Sequence, residues 1–258
     1  MDPAPIILAG LLGLAVGSFL NVCIDRLPRR ESLASERSHC EACGRQLSAG
    51  ELIPILSYVR LGGRCRSCGA RIPARVPVVE LLSGAAFASL IAAYGPTATT
   101  VLLILYACIL IVVFFTDLEQ GLILNVVVYP AIAIAFLAAL IVQPACLGSI
   151  GPHPLVNAAI GAAVGFVFLF LVALISRGGM GWGDVKFAAF MGAATGLPLI
   201  FVALFAGIVV GGIVGALLLI TGKRDRKQTI PFGPFLVAGT VVALLWGEQL
   251  LRWYLGLM

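Results

Sequence analysis

Apolar residues fill this chain in long unbroken runs, and polar residues are gathered between them. The runs cover residues 6–24, 78–94, 98–116, 122–142, 155–176, 185–196, 197–221 and 232–251. A hydrocarbon core about 30 Å thick needs roughly 20 helical residues to cross it, and most of the runs are near that length. In lipid the backbone must satisfy its own hydrogen bonds, so such runs are helices. The pattern predicts an all-α fold: a polytopic membrane helical bundle of about eight spans. It divides the chain into a first span (1–24), a polar segment (25–77) and a larger membrane domain (78–258).

Composition agrees, with 60% of the 258 residues hydrophobic and 11% charged, a balance no soluble globular domain of this size tolerates. Charge adds an orientation. Ten Arg fall between Asp25 and Arg75, six further cations lie at Arg177, Lys186 and 223–227, and only Arg252 falls on the opposite side. The positive-inside rule then puts the polar segment in the cytoplasm and both termini outside, in a multi-pass inner-membrane protein. The same bias accounts for the net charge of +5, so no nucleic-acid partner is implied. The first run has no basic flank before it and no small-residue cleavage site after it, and reads as a retained span.

The polar segment holds Cys40-x-x-Cys43 and Cys65-x-x-Cys68 in two similar stretches, each with Gly directly after the second Cys. About fifty residues bury too little apolar surface to be stable alone, and disulfides are disfavoured in a reducing compartment. Four thiolates closing a tetrahedral site around structural Zn2+ would supply the missing stabilisation. Gly44 and Gly69 can take positive φ and turn backbone N–H groups toward the sulfurs. Cys23 and Cys108 read as small buried apolar residues, and Cys146 has no assigned role.

Two carboxylates carry the remaining chemistry. Asp117 closes the third span and Asp184 opens the sixth behind Gly181-Trp182-Gly183, so both fall on the cytoplasmic side. The run 185–196, as a helix, covers only about 18 Å. Either it runs on past Pro198, or Asp184 lies at depth in a protein-lined cavity. An acid at a span centre costs on the order of 2.5–3.5 kcal/mol, which argues for function. Paired, the two would share a proton and serve as base and acid in peptide hydrolysis. Singly, they would be helix-terminal or ion-pathway groups, and Asp117-Leu118-Glu119 also reads as a polar turn. Gly181 and Gly183 would let an extended substrate lie close. Glu80, early in the second span, is either a solvated interfacial carboxylate or a substrate-facing group. The seventh span's Gly207, Gly211, Gly212 and Gly215 have the spacing of close helix packing.

Taken together, Gly17-Ser18-Phe19-Leu20-Asn21 with Arg26-Leu27-Pro28, the paired Cys motifs, Arg75-Val76-Pro77-Val78-Val79-Glu80, Asp117-Leu118, Gly181-Trp182-Gly183-Asp184-Val185-Lys186 and Ile230-Pro231-Phe232-Gly233-Pro234 occur in an order that resembles the bacterial prepilin peptidases over nearly the whole chain. The resemblance implies a Gly-x-Gly-Asp membrane aspartic endopeptidase with Asp117 and Asp184 as its catalytic pair and zinc on the four Cys. Its substrate would be a type IV prepilin or type II secretion pseudopilin, cut at the cytoplasmic face of the lipid membrane. It also implies N-methylation from S-adenosylmethionine, for which the residues themselves offer no motif. Another reading makes the cysteine loop a docking module for pilus or secretion assembly proteins, with the membrane part as anchor. One departure is Ile123-Leu124-Asn125 where the family has a proline. The rival class, a carboxylate-dependent ion-coupled transporter, predicts internal repeats, and the spans do not repeat.

Overall fold

The structure, a computed structural model, describes residues 3–33, 37–141, 153–176, 180–221 and 231–256. Cys146, Arg177, the cations at 223–227, Gly179, Ile230 and most of the uncharged loop after residue 142 lie outside them. The described residues form nine α-helices and no strand: α1 (Ala4–Arg29), α2 (Leu56–Arg60), α3 (Arg75–Tyr94), α4 (Ala98–Gln120), α5 (Asn125–Ile141), α6 (Pro154–Ile175), α7 (Trp182–Thr195), α8 (Leu199–Ile220) and α9 (Gly233–Gly256). Each apolar run of the sequence becomes one helix. Six of them, α1, α3, α4, α6, α8 and α9, are long and apolar enough to cross a membrane, while α5 and α7 are shorter. The chain is a multi-pass membrane protein.

It forms two compact units, residues 1–112 and 113–258. In the first, α1 and α3 pack antiparallel on small residues. A Cβ at Gly13 would lie 2.6 Å from the Ser83 carbonyl oxygen, and one at Gly17 would lie 2.7 Å from the Glu80 Cα. No side chain larger than hydrogen fits there, so backbone meets backbone. Polar groups close the same seam at one end: Asn21 Nδ2 donates to the Val76 carbonyl (3.0 Å), and Arg75 donates to Asn21 Oδ1 (3.2 Å) and pairs with Asp25.

In the second unit α7 is the centre, packed against α5, α6, α8 and α9. Ten of its fourteen residues are buried, as expected of a helix with no polar stripe. Cβ atoms at Gly161 and Gly192 would each fall on the other glycine's carbonyl oxygen, so α6 and α7 touch through their backbones. The glycines of α8 behave less uniformly: Gly207 and Gly211 meet α9 at Phe235, whereas Gly212 faces open space. α7 does not run past Pro198. It stops at Thr195, Gly196 turns with φ 65°, and Asn157 holds both the N–H (2.8 Å) and the carbonyl (3.3 Å) of Leu197. At 14 residues the helix is about 21 Å long, short of a full crossing.

Candidate functional site

Asp184 is the third residue of α7, after Gly181 at the N-cap. Its carboxylate reaches back to accept a hydrogen bond from the Gly181 N–H, as the third residue of a capping box does. A Cβ on Gly181 would lie 3.2 Å from Asp184 Oδ2, so glycine leaves room for this return. Asp184 is only 8% exposed, and its Oδ1 is buried with no hydrogen-bond partner among the described residues.

Asp117, 5% exposed, lies within the last turn of α4, which continues to Gln120. The polar turn expected at residues 117–119 is therefore helix, and the chain reverses only at Gly121 (φ 65°), whose N–H bonds the Asp117 carbonyl at 2.8 Å. Asp117 Oδ2 accepts the N–H of Gly233, the first residue of α9, at 2.8 Å. A Cβ at Gly233 would stand 2.6 Å from that oxygen. Each carboxylate thus sits at a helix N-terminus, where unsatisfied N–H groups and the macrodipole favour negative charge.

The turn after α4 brings the two acids together. Ile123 in that turn packs on Gly183, where a Cβ would lie 2.8 Å from its own. Lys186 on α7 donates to Asn125 Oδ1 at 3.0 Å and lies over the Tyr129 ring. α5 begins at Asn125, with the Leu124 carbonyl accepting from Val127 and Val128. Asp117 and Asp184 are close enough for the charge of one to act on the other. Sequence reasoning noted Gly233 only as part of a motif; its signal was a glycine opening a span two residues after Pro231.

Glu80 belongs to the first unit and is no solvated interfacial group. It is 4% exposed, accepting the Ile55 N–H at 2.8 Å and a hydrogen bond from the Ser18 side chain.

The four thiols gather as their spacing predicts. Cys40, Cys43, Cys65 and Cys68 place their sulfurs within 4.8 Å of one another, with Cys40 and Cys68 at 3.8 Å. A tetrahedron of metal–sulfur bonds about 2.3 Å long sets its sulfurs about 3.8 Å apart, so the cluster could hold a divalent ion. Two matching turns build it. In one, Cys40 N–H bonds the Arg45 carbonyl and Gly44 N–H the Cys40 carbonyl; in the other, Cys65 bonds Ala70 and Gly69 bonds Cys65. Gly44 and Gly69 have φ of 68° and 69°. Single bridges between His39 and Gln46, and between Arg64 and Arg71, close the two turns.

Backbone N–H groups of Cys68 and Ser67 point at the Cys65 sulfur and hold its pKa down to about 6. The Ala70 N–H favours a thiolate at Cys68, but burial and the adjoining Cys65, Cys43 and Cys40 sulfurs push it up to about 11. Negative charge accumulates poorly among sulfurs this close, and a cation at their centre removes that repulsion. Arg45, not anticipated from the sequence, bonds both Glu51 and the Cys65 sulfur. Its only sequence signal is its place directly after Cys43-Gly44.

Comparison with known proteins covers both units. Residues 11–94 match the Bacterial Peptidase A24 N-terminal domain and residues 104–216 the Type IV leader peptidase family. A Prepilin leader peptidase/N-methyltransferase of Bacillus subtilis (strain 168) is 34% identical over 249 residues, covering 95% of this chain and 96% of the relative. Proteins of the same name from Aeromonas salmonicida (strain A449; 34%, covering 95% and 92%) and Pseudomonas aeruginosa (32%, covering 95% and 91%) are similar over comparable lengths. No solved structure matches the chain. With identity of this level running through nearly the full length of chain and relatives alike, the protein belongs to the prepilin leader peptidase family.

Proposed function

We propose that this protein is a membrane-embedded aspartic endopeptidase that removes the leader from type IV prepilins or type II secretion pseudopilins at the cytoplasmic face of the inner membrane. The observation that carries the proposal is the pair Asp117 and Asp184: two buried carboxylates within each other's field, each at a helix N-terminus, with one Asp184 oxygen left unpaired. Two such groups share one proton. The ionised member takes a proton from water as its oxygen bonds the scissile carbonyl carbon, while the protonated member gives its proton to the carbonyl oxygen. The tetrahedral diol then collapses: one hydroxyl returns its proton to the ionised member as the C–N bond breaks, and the nitrogen leaves with the proton of the other. Gly181 and Gly183 keep the wall beside Asp184 thin enough for an extended peptide. For Glu80, already engaged by Ile55 and Ser18, we propose a positioning role in place of substrate contact.

The four thiols would hold Zn2+ in a closed, structural site, since four sulfurs leave no position for substrate. The relatives' printed names include N-methyltransferase, and a second activity using S-adenosylmethionine is proposed on that ground. No glycine-rich strand-to-helix turn occurs among the described residues to hold such a cofactor. Family membership disfavours the transporter class.

The test is cleavage of a purified precursor by Asp117→Asn and Asp184→Asn. Each should lose on the order of 10³-fold in rate. Turnover near wild type in either variant would overturn the assignment.

A further inference from the structure

The segment around α2 is built for lipid. Exposed side chains there are Leu52, Ile53, Leu56 (59%) and Val59 (70%), followed by the exposed cations Arg60 and Arg64. A water-facing loop of this size has no reason to present four large apolar groups in eight residues. Its depth supplies one.

α3 has 20 residues, about 30 Å, the thickness of a hydrocarbon core. The polar cluster of Arg75, Asn21 and Asp25 marks its inner end. Glu80 lies five residues further along the helix, about 7.5 Å deeper. The Glu80 side chain leans back toward Arg75, and the Ile55 N–H bonded to its Oε2 draws the bend before α2 in beside the first turns of α3.

The backbone there is also prepared for low water. Ile55, a β-branched residue at φ 60° and ψ −51°, turns its N–H away from its own segment and onto Glu80. Leu56 N–H returns to the Pro54 carbonyl, Ser57 N–H bonds Ile53 and Val59 N–H bonds Ile55. The donors of Ile55, Leu56, Ser57 and Val59 are thus satisfied within the protein, as a segment needs where water is scarce.

We propose that α2 and the turn before it are seated in the inner leaflet. Leu52, Ile53, Leu56 and Val59 lie among the acyl chains, while Arg60 and Arg64 reach out to anionic headgroup phosphates. The occupant of this ridge is the bilayer itself, and Glu80 is the buried anchor that sets its depth.

The experiment places a photoreactive benzophenone amino acid at Val59, and separately at Leu56, in the full chain. The protein is reconstituted in vesicles of phosphatidylethanolamine and phosphatidylglycerol, irradiated and analysed by mass spectrometry. A reporter at Glu41 is the control: its neighbour Cys40 is fixed in the thiol cluster, and the native Glu41 side chain reaches Arg29, the last residue of α1, outside the Arg75 plane. Metal retained on the four thiols identifies folded samples. Lipid adducts several-fold more abundant at Val59 and Leu56 than at Glu41 are expected, and Glu80→Ala should reduce them. Absence of lipid adducts at both sites, or adducts only to protein, would overturn the proposal; the latter would assign the ridge to a protein partner. Neither result bears on Asp117 and Asp184, so this inference fails or stands apart from the peptidase proposal.

Discussion

The thiol cluster and the carboxylate pair each bring like-charged groups together from distant parts of the chain, by opposite means. The thiols sit on two short turns that repeat one another, with Gly44 and Gly69 in the same left-handed conformation. The carboxylates sit on two helices that share no local pattern, Asp117 met by the N-terminus of α9 and Asp184 by that of its own helix α7. One site is specified within a few residues of each ligand. The other is specified by packing across the unit, where the Gly161–Gly192 contact and the Gly183–Ile123 contact fix α7. A site of the first kind should depend on what it binds, and a site of the second kind on what surrounds it.

The largest effect expected from that difference is on metal. Binding by four thiolates contributes on the order of 10 kcal/mol to a domain of this type, so chelation, or Cys65→Ser, should unfold the loop while the membrane helices keep their circular dichroism. Acid should do the same, because the ion competes with protons for sulfur. Glu51 responds at another pH. Arg45, then the Ser48 N–H and hydroxyl, hold its pKa down to about 2, so its contribution is complete above its unfolded value and is lost progressively as pH falls from there through about 2. Metal content and loop structure followed together from neutral to acid pH should fall while the Arg45–Glu51 pair is still intact. If the loop survives until that pair is titrated, the metal is not what holds it.

Asp184→Asn should act in the opposite sense. Cleavage falls on the order of 10³-fold while metal content stays at the wild-type value. A variant that loses both would mean that the two sites are not independently built.

How much of this was legible in the sequence follows the same division. The Cys spacing announced its own cluster, and the positive φ of Gly44 and Gly69 followed from where those residues stand. Helix positions were legible too, because lipid forces apolar runs into helices. The partners of the two acids were not. Nothing near Asp117 in sequence points to Gly233, 116 residues away, and Gly161 and Gly192 are two among 30 glycines. Glycine spacing drew attention to α8, yet the tighter backbone contact lies between α6 and α7. Glu80 looked like an interfacial carboxylate because its acceptor role depends on a bend at Ile55 that no local pattern announces.

Packing around the acids gives the next effects in size. Gly233→Ala would set a methyl group 2.6 Å from Asp117 Oδ2, and the displaced carboxylate should lower cleavage on the order of 10²-fold, as misplacement of about 1 Å does. Gly192→Ala forces α6 and α7 apart and should destabilise the unit by about 1–3 kcal/mol. Gly212→Ala, which meets open space, serves as the matched control in thermal unfolding. Equal shifts for the two would remove the claim that helix contact, rather than glycine content, organises this unit.

The smallest effect belongs to the turns. A Cβ at Gly44 meets nothing within 4 Å, so Gly44→Ala costs only the strain of holding φ at 68° with a side chain, about 1–2 kcal/mol. Spread over the metal equilibrium, that is roughly a tenfold loss of affinity. Gly44→Asn should lose less, since asparagine tolerates this region better. Competition with a chelator of known affinity measures both. Because Gly69 occupies the equivalent place in the second turn, Gly69→Ala should give the same loss within error, and a much larger loss at one glycine would show that the two turns, alike in conformation, do not share the metal equally.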